Sequence, residues 1–439
     1  MAITQQRLSR RPCGGKAKPR AISLCLLGLV APLADARAQA TVDTRMERDT
    51  VGARSRPEVE TAGARVGGLL ISPSFGIEAD ASDNIYARSD TKRGDIALSA
   101  LPALAIETQW ARHALGISAE GAIKRYAKLT TENVETYAVK LDGRLDISGD
   151  TRISGDVGTA RKIEARGTTG DTLFGAAPIA FRVFSGGGQI EQTFTRVQIT
   201  LAGRYERFRY EDRLLGSTVI DLSPRDYEAL TGSLRAAIGV GPGIAAFTSI
   251  AYNRNRYPIT PVGQPSRDSR GFTVLTGLAF GLNRLLQGEI GVGYVRQDFT
   301  APVFPRISGL AYSAQLRWSP TRLTTLRLSG GRSFQRSPII GIAGIQQHEV
   351  MLSAEHELRR ALILRPSLRY MVADFQVPTG TAPRQERYFT GGFGTTWRLT
   401  QHLEIAGDYA HSLGRNSGAV DPGRAYDRNR ATLSLRWRL

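Results

Sequence analysis

Tyr137-Ala138-Val139-Lys140-Leu141-Asp142-Gly143-Arg144-Leu145-Asp146-Ile147 is the stretch whose reading decides the fold. Tyr137, Val139, Leu141, Leu145 and Ile147 fall on one parity, and Lys140, Asp142, Arg144 and Asp146 on the other. A strand points successive side chains to opposite faces, so period two sorts this segment into an apolar face and a charged face. The pattern recurs downstream. Leu310, Tyr312, Ala314, Leu316 and Trp318 oppose Ser313, Gln315 and Arg317. Leu362, Leu364, Leu368 and Tyr370 oppose Arg365, Ser367 and Arg369. Leu403, Ile405 and Tyr409 oppose Glu404 and Asp408.

Tight connections separate these segments at Ala111-Arg112, Gly149-Asp150, Thr195, Val240 to Gly243, Asn283-Arg284, Ser319 to Thr321, Arg359-Arg360 and Thr400-Gln401. Their centres lie 36–47 residues apart, and each interval holds two long strands with a longer polar loop between them. A propeller blade needs four short strands in such an interval. A soluble sandwich uses strands of about five or six residues. Long strands with tight turns on one side and long loops on the other are the pattern of a transmembrane antiparallel β-barrel. Eight turns and nine loops imply about 18 strands, in a range of 16–20.

In lipid the apolar parity faces the acyl chains and the charged parity faces the lumen. Trp110, Tyr126, Tyr205, Tyr252, Tyr294, Trp318, Tyr370, Trp397, Tyr409 and Trp437 lie near strand ends and read as interfacial girdles. At the C-terminus Leu433, Leu435, Trp437 and Leu439 alternate with Ser434, Arg436 and Arg438. A last strand that ends on an apolar residue reads as the signal for barrel-assembly machinery.

Composition agrees. The 439 residues carry 58 Lys and Arg against 40 Asp and Glu, a formal charge of +18. No run approaches the ~20 apolar residues of a spanning helix. A hydrophobic content of 41% excludes a disordered chain. The only cysteines, Cys13 and Cys25, exclude zinc ribbons and disulfide scaffolds. Both lie in residues 1–40, where a basic start, the apolar run Ala21 to Ala34 and Ala38-Gln39-Ala40 form a secretory signal peptide. Cleavage after Ala40 removes seven basic residues and one acid, leaving a charge of +12 and no cysteine. Residues 41–65 are polar and aperiodic, a flexible periplasmic segment, and 66–439 form the barrel.

Several stretches taken in order resemble the putative β-barrel porin 2 family of outer-membrane proteins. They are Leu70 to Gly76, Ser82-Asp83-Asn84-Ile85-Tyr86-Ala87, Leu141 to Ser148 with Asp150-Thr151, Gly288 to Tyr294 with Gln297-Asp298-Phe299, and Tyr426-Asp427-Arg428-Asn429-Arg430. The family's loop motif begins Asp-Asp-Asn, and Ser82 replaces the first Asp. The resemblance covers about residues 65–439. It implies an outer-membrane location and, by association with surface-polysaccharide genes, a part in polysaccharide export. It carries over no catalytic residue.

The expected lumen lining holds Lys124, Lys140, Arg144, Arg204, Arg317, Arg327, Arg365, Arg369, Arg398 and Arg436. Its expected acids include Glu120, Asp142, Asp146, Asp156, Glu355, Glu357, Glu404 and Asp408. Cross-strand ion pairs explain such a set; an excess of arginine would instead favour anionic solutes. Asp80, Asp83 and Asn84 lack the spacing of a Ca²⁺ loop and read as turn residues. A barrel hydrolase needs a His beside Ser or a carboxylate at one rim, and none of His113, His348, His356, His402 and His411 stands in such an arrangement. No enzyme activity, cofactor or metal is expected. The expected partners are outer-membrane lipid, barrel-assembly machinery, anionic polysaccharide and periplasmic polysaccharide-export proteins. Nucleic acid is excluded, because the charge is dispersed over alternate strand positions of an exported chain. The first expectation is a passive conduit or accessory in exopolysaccharide or capsule export. The alternatives are a diffusion porin for small anionic solutes and an outer-membrane barrel hydrolase.

Overall fold

A computed structural model describes residues 50–52, 54, 63–172, 176–282, 285–418 and 424–439. The signal-peptide reading of residues 1–40 and the turn at Asn283-Arg284 lie outside the described residues.

Eighteen long strands make one sheet. They are β1 (Leu69–Ser82), β2 (Asp95–Thr108), β3 (Ala114–Tyr126), β4 (Val134–Asp146), β5 (Thr151–Ile163) and β6 (Ala180–Thr193). Next come β7 (Val197–Tyr210), β8 (Tyr227–Gly241), β9 (Ile244–Arg256), β10 (Ser269–Leu282), β11 (Leu286–Phe299) and β12 (Ile307–Thr321). The last are β13 (Thr324–Arg336), β14 (Gly344–Arg359), β15 (Leu362–Phe375), β16 (Arg384–Arg398), β17 (Leu403–Gly418) and β18 (Tyr426–Arg438). Each pairs antiparallel with its sequence neighbours. β18 pairs with β1 from Ser74↔Arg438 to Ser82↔Arg430, which closes the barrel. Closure gives every long strand a neighbour on both sides, as crossing lipid requires, although β12 and β13 pair only over Ser313–Thr321 and Thr324–Gly331.

Tight turns join β2–β3, β4–β5 and the later pairs in the same phase, at the end where β1 begins and β18 finishes. The nine longer connections gather at the other end. At the short-turn end, Ala64–Val66 folds back on β1 as a small hairpin, and Gly67 at its bend takes φ +58°, a conformation that side chains disfavour.

The parity expected from sequence governs exposure. Val139, Leu141 and Leu145 point outward, as do Leu310 and Tyr312, and Leu368 and Tyr370. All four tryptophans, Trp110, Trp318, Trp397 and Trp437, are outward and near the short-turn end. Tyr252, Tyr294 and Tyr370 are outward on the same strand faces, nearer the long-loop end. Tyr126 corrects the girdle assignment. It shares the inward face of β3 with Lys124, whose Nζ lies 5.3 Å from its ring.

Candidate functional site in the lumen

The inward parity of successive strands carries a belt of ion pairs. Arg204 meets Asp156 at 2.6 Å. Arg327 meets Glu355 at 2.8 Å, and Arg365 meets Asp408 at 3.1 Å. Arg369 meets Glu349 at 3.0 Å. Glu404 sits opposite both Arg398 and Arg436 in the strand ladder, and it also accepts from Arg438 at 3.0 Å. Arg144 meets Asp146 at 3.2 Å, while Lys140 approaches Asp142 only to 3.7 Å, with both side chains about half exposed. Arg317 lies directly opposite Arg327, and Glu120 lies inward on β3 opposite Ala103 and Ala138.

Two centres were not recognised as lumenal pairing sites from sequence. Arg235 meets Glu289 at 2.7 Å and stacks over Phe247 at 3.9 Å. Their inward parity was legible, since Arg235 alternates with Leu234 and Glu289 with Ile290. Asp80, expected in a turn, instead lies within β1, where it is buried and takes Arg430 Nε at 2.8 Å and Lys124 Nζ at 2.5 Å. Asn84 is also buried, donating to the carbonyl oxygens of Arg88 and Asp427. The carboxylate and amide are thus used in holding β1 and its loop to β18.

The long loops bond to one another at one mouth. Arg166 binds Glu132 at 2.6 Å and Asp171 at 3.0 Å, joining the β3–β4 and β5–β6 loops. Arg424 reaches from the β17–β18 loop to the Thr168 carbonyl oxygen at 2.9 Å and to Glu386 at 3.2 Å. Arg267 donates to the carbonyl oxygens of Ser337, at 3.1 Å, Ile339, at 3.0 Å, and Pro224. That one guanidinium ties together the β9–β10, β13–β14 and β7–β8 loops. Beneath them lies a buried tier, with Phe181 stacked on Tyr210 at 5.2 Å and Phe208 on Tyr227 at 4.2 Å. Tyr257 continues the tier at 5.6 Å from Tyr227. Glu164, in the β5–β6 loop, accepts from Tyr210 Oη at 3.2 Å, and burial pushes its carboxyl up to about 6.

At the opposite end Thr50 and Val51 are buried against the inner wall. The Val51 N–H donates to Thr325 Oγ1 at 3.3 Å, and the Gly52 N–H to Glu355 Oε2 at 2.7 Å. Part of the polar N-terminal segment therefore lies within the lumen beside the Arg327–Glu355 pair.

The family described as Putative beta-barrel porin 2 matches residues 56–439, the whole barrel. The chain belongs to this family. As an outer-membrane porin-family barrel, it has its short turns on the periplasmic side and its long loops outside. No curated protein matches the chain. Similar solved structures include the siderophore receptor PirA from Acinetobacter baumannii, at 8% identity and a TM-score of 0.44 over 84% of this chain and 80% of that one. OccK2 (OpdF) of Pseudomonas aeruginosa has 12% identity and a TM-score of 0.44 over 84% and 98%. OpdO of the same organism has 13% identity and a TM-score of 0.44 over 85% and 98%. At these values no cargo is transferred from them.

In this porin-family barrel the histidines are spread over both rims and the outer wall. His356 Nδ1 pairs with Thr324, His348 with Tyr312, His411 with Asn429 and His402 with the Arg438 carbonyl oxygen. His113 Nδ1 accepts from the Asp146 N–H at 3.3 Å. None of these contacts among the described residues joins a His to Ser or to a carboxylate. Leu433, Leu435 and Trp437 all point outward on β18.

Proposed function

We propose that the barrel takes part in surface polysaccharide export, as a loop-gated passive conduit or accessory. The observation that carries this reading is the pairing of the lumenal arginines. Arg204, Arg235, Arg327, Arg365 and Arg369 each face a carboxylate within 3.1 Å. Paired charges largely cancel at a distance, so they select weakly for small anions. At close range they still offer both donors and acceptors, which is what sugar hydroxyls and acidic sugars need. Folded outer loops suit a path that opens for a polymer better than a permanently open diffusion pore. Family membership supports the same reading through its association with surface polysaccharide. Periplasmic export proteins and barrel-assembly machinery are the partners this role calls for, and residues 1–40 are the cleaved signal it needs.

The test is polysaccharide content in a deletion strain, separated into extracellular and periplasmic fractions. The expected result is loss outside with accumulation in the periplasm. Unchanged amounts in both fractions would overturn the proposal.

A further inference from the structure

The outer wall carries its own charged surface, separate from the lumen. On four strands the outward column passes from an aromatic residue to arginine at the long-loop end. Phe184 gives way to Arg182 on β6, and Tyr205 to Arg207 on β7. Tyr252 gives way to Arg254 and Arg256 on β9, and Phe272 to Arg270 on β10. Arg254, Arg256 and Arg270 are exposed, and none makes an ion pair or hydrogen bond among the described residues. Arg182 is 64% exposed and pairs with Glu211 at 3.3 Å, and Arg207 comes within 3.8 Å of Glu228. Arg254 lies directly opposite Arg270 in the ladder, while Asp298 faces Arg270 from its other side and Glu228 faces Arg256. Like charges so placed repel and destabilise the sheet. An anion between them converts that repulsion into two charge-assisted contacts.

We propose that this face binds the phosphate groups of a phosphorylated glycolipid of the outer leaflet. The depth fits. Aromatic girdles mark the edge of the hydrocarbon, and the arginines stand one step beyond it, where head groups lie. A guanidinium fork matches phosphate oxygens in bidentate geometry. The sheet just below leaves room for acyl chains. Gly188, Gly203 and Gly232 lie side by side across β6, β7 and β8. A Cβ on Gly232 would meet nothing within 4 Å, so packing inside the barrel does not demand glycine there.

The test uses the full barrel, folded and placed in vesicles containing lipid A, its dephosphorylated form or phosphatidylglycerol, with retained lipid read by native mass spectrometry. Wild type should retain phosphorylated lipid A selectively. Combining Arg254→Gln, Arg256→Gln and Arg270→Gln should weaken retention roughly a hundredfold, with heat-modifiable gel migration confirming the fold. Gly232→Leu should fold normally and retain less lipid A. Equal retention of the dephosphorylated form or of phosphatidylglycerol would overturn the proposal. So would a folded triple variant that binds as wild type does.

Discussion

Arg267 holds Ser337 across the outer mouth: its Nη1 donates to the Ser337 carbonyl oxygen at 3.1 Å, and both residues are buried. The same guanidinium stacks over Tyr257 at 4.1 Å and serves two more carbonyl oxygens, of Ile339 and Pro224. Three loops therefore meet at one side chain, beside Tyr257 Oη, which donates to the same Ser337 carbonyl oxygen at 3.1 Å.

Arg267→Ala should free those loops without unfolding the barrel. Three carbonyl oxygens lose a charged donor, a local cost of about 2–4 kcal/mol. Conductance in planar bilayers should rise, and residues 337–343 should become more sensitive to protease. Arg267→Lys should rescue little, because an ammonium cannot reproduce the fork. Wild-type conductance and protection in the alanine variant would show that the mouth is closed by other contacts.

Glu164 predicts a pH dependence for the same cap. Burial raises its carboxyl to about 6 from an ordinary 4.5, against the opposing pull of Arg225 and the Tyr210 hydrogen bond. The folded cap thus binds this proton more tightly than the unfolded chain does. Its stabilising contribution, about 1–2 kcal/mol, is full below pH 4.5 and is lost as the pH rises through about 6. Protease protection of the outer loops should fall across that window. Glu164→Gln should flatten the profile, and an unchanged profile in that variant would assign the dependence elsewhere.

The barrel wall was legible in the sequence because lipid imposes a rule on every second residue. Leu141 and Asp142 could not exchange faces without placing a carboxylate in hydrocarbon. The same rule, applied strictly, would have placed Tyr126 correctly, since it shares parity with Lys124. Residue type suggested a girdle where position dictated the lumen. The outer cap was not legible. Arg267 and Ser337 are separated by 70 residues, and no periodicity links loops that meet only after closure. The inward pairing was half legible: parity gave the face, but which acid each arginine meets depends on register and side-chain reach, as with Arg204 on β7 crossing β6 to Asp156 on β5.

Arg235 and Glu289 test whether the lumenal pairs stabilise the barrel or only line it. Arg235 is 7% exposed, so Arg235→Met leaves the Glu289 carboxylate without its partner in a low-dielectric site. The single variant should lose about 3–5 kcal/mol in urea unfolding. Replacing both, Arg235→Met with Glu289→Met, should recover most of that loss, because no orphaned charge remains. A double variant as unstable as the single would mean that the pair is worth more than its desolvation cost.

The two faces of the wall give a final, paired prediction. Val292 points outward from β11 at 55% exposure, midway between Ile290 and Tyr294 on the same face. Val292→Arg places a guanidinium in hydrocarbon and should cost about 2–4 kcal/mol, the range for a barrel midplane. Gln315 is also exposed but lies on the inward parity of β12, where its alternation with Ala314 and Leu316 turns it to the lumen. Gln315→Lys keeps its charge in water and should change unfolding by less than about 1 kcal/mol. The comparison cancels any general effect of adding positive charge to a basic chain. If the two substitutions cost the same, the outward face is not the lipid-facing one; if Gln315→Lys costs more, the wall is inverted relative to the assignment made from parity.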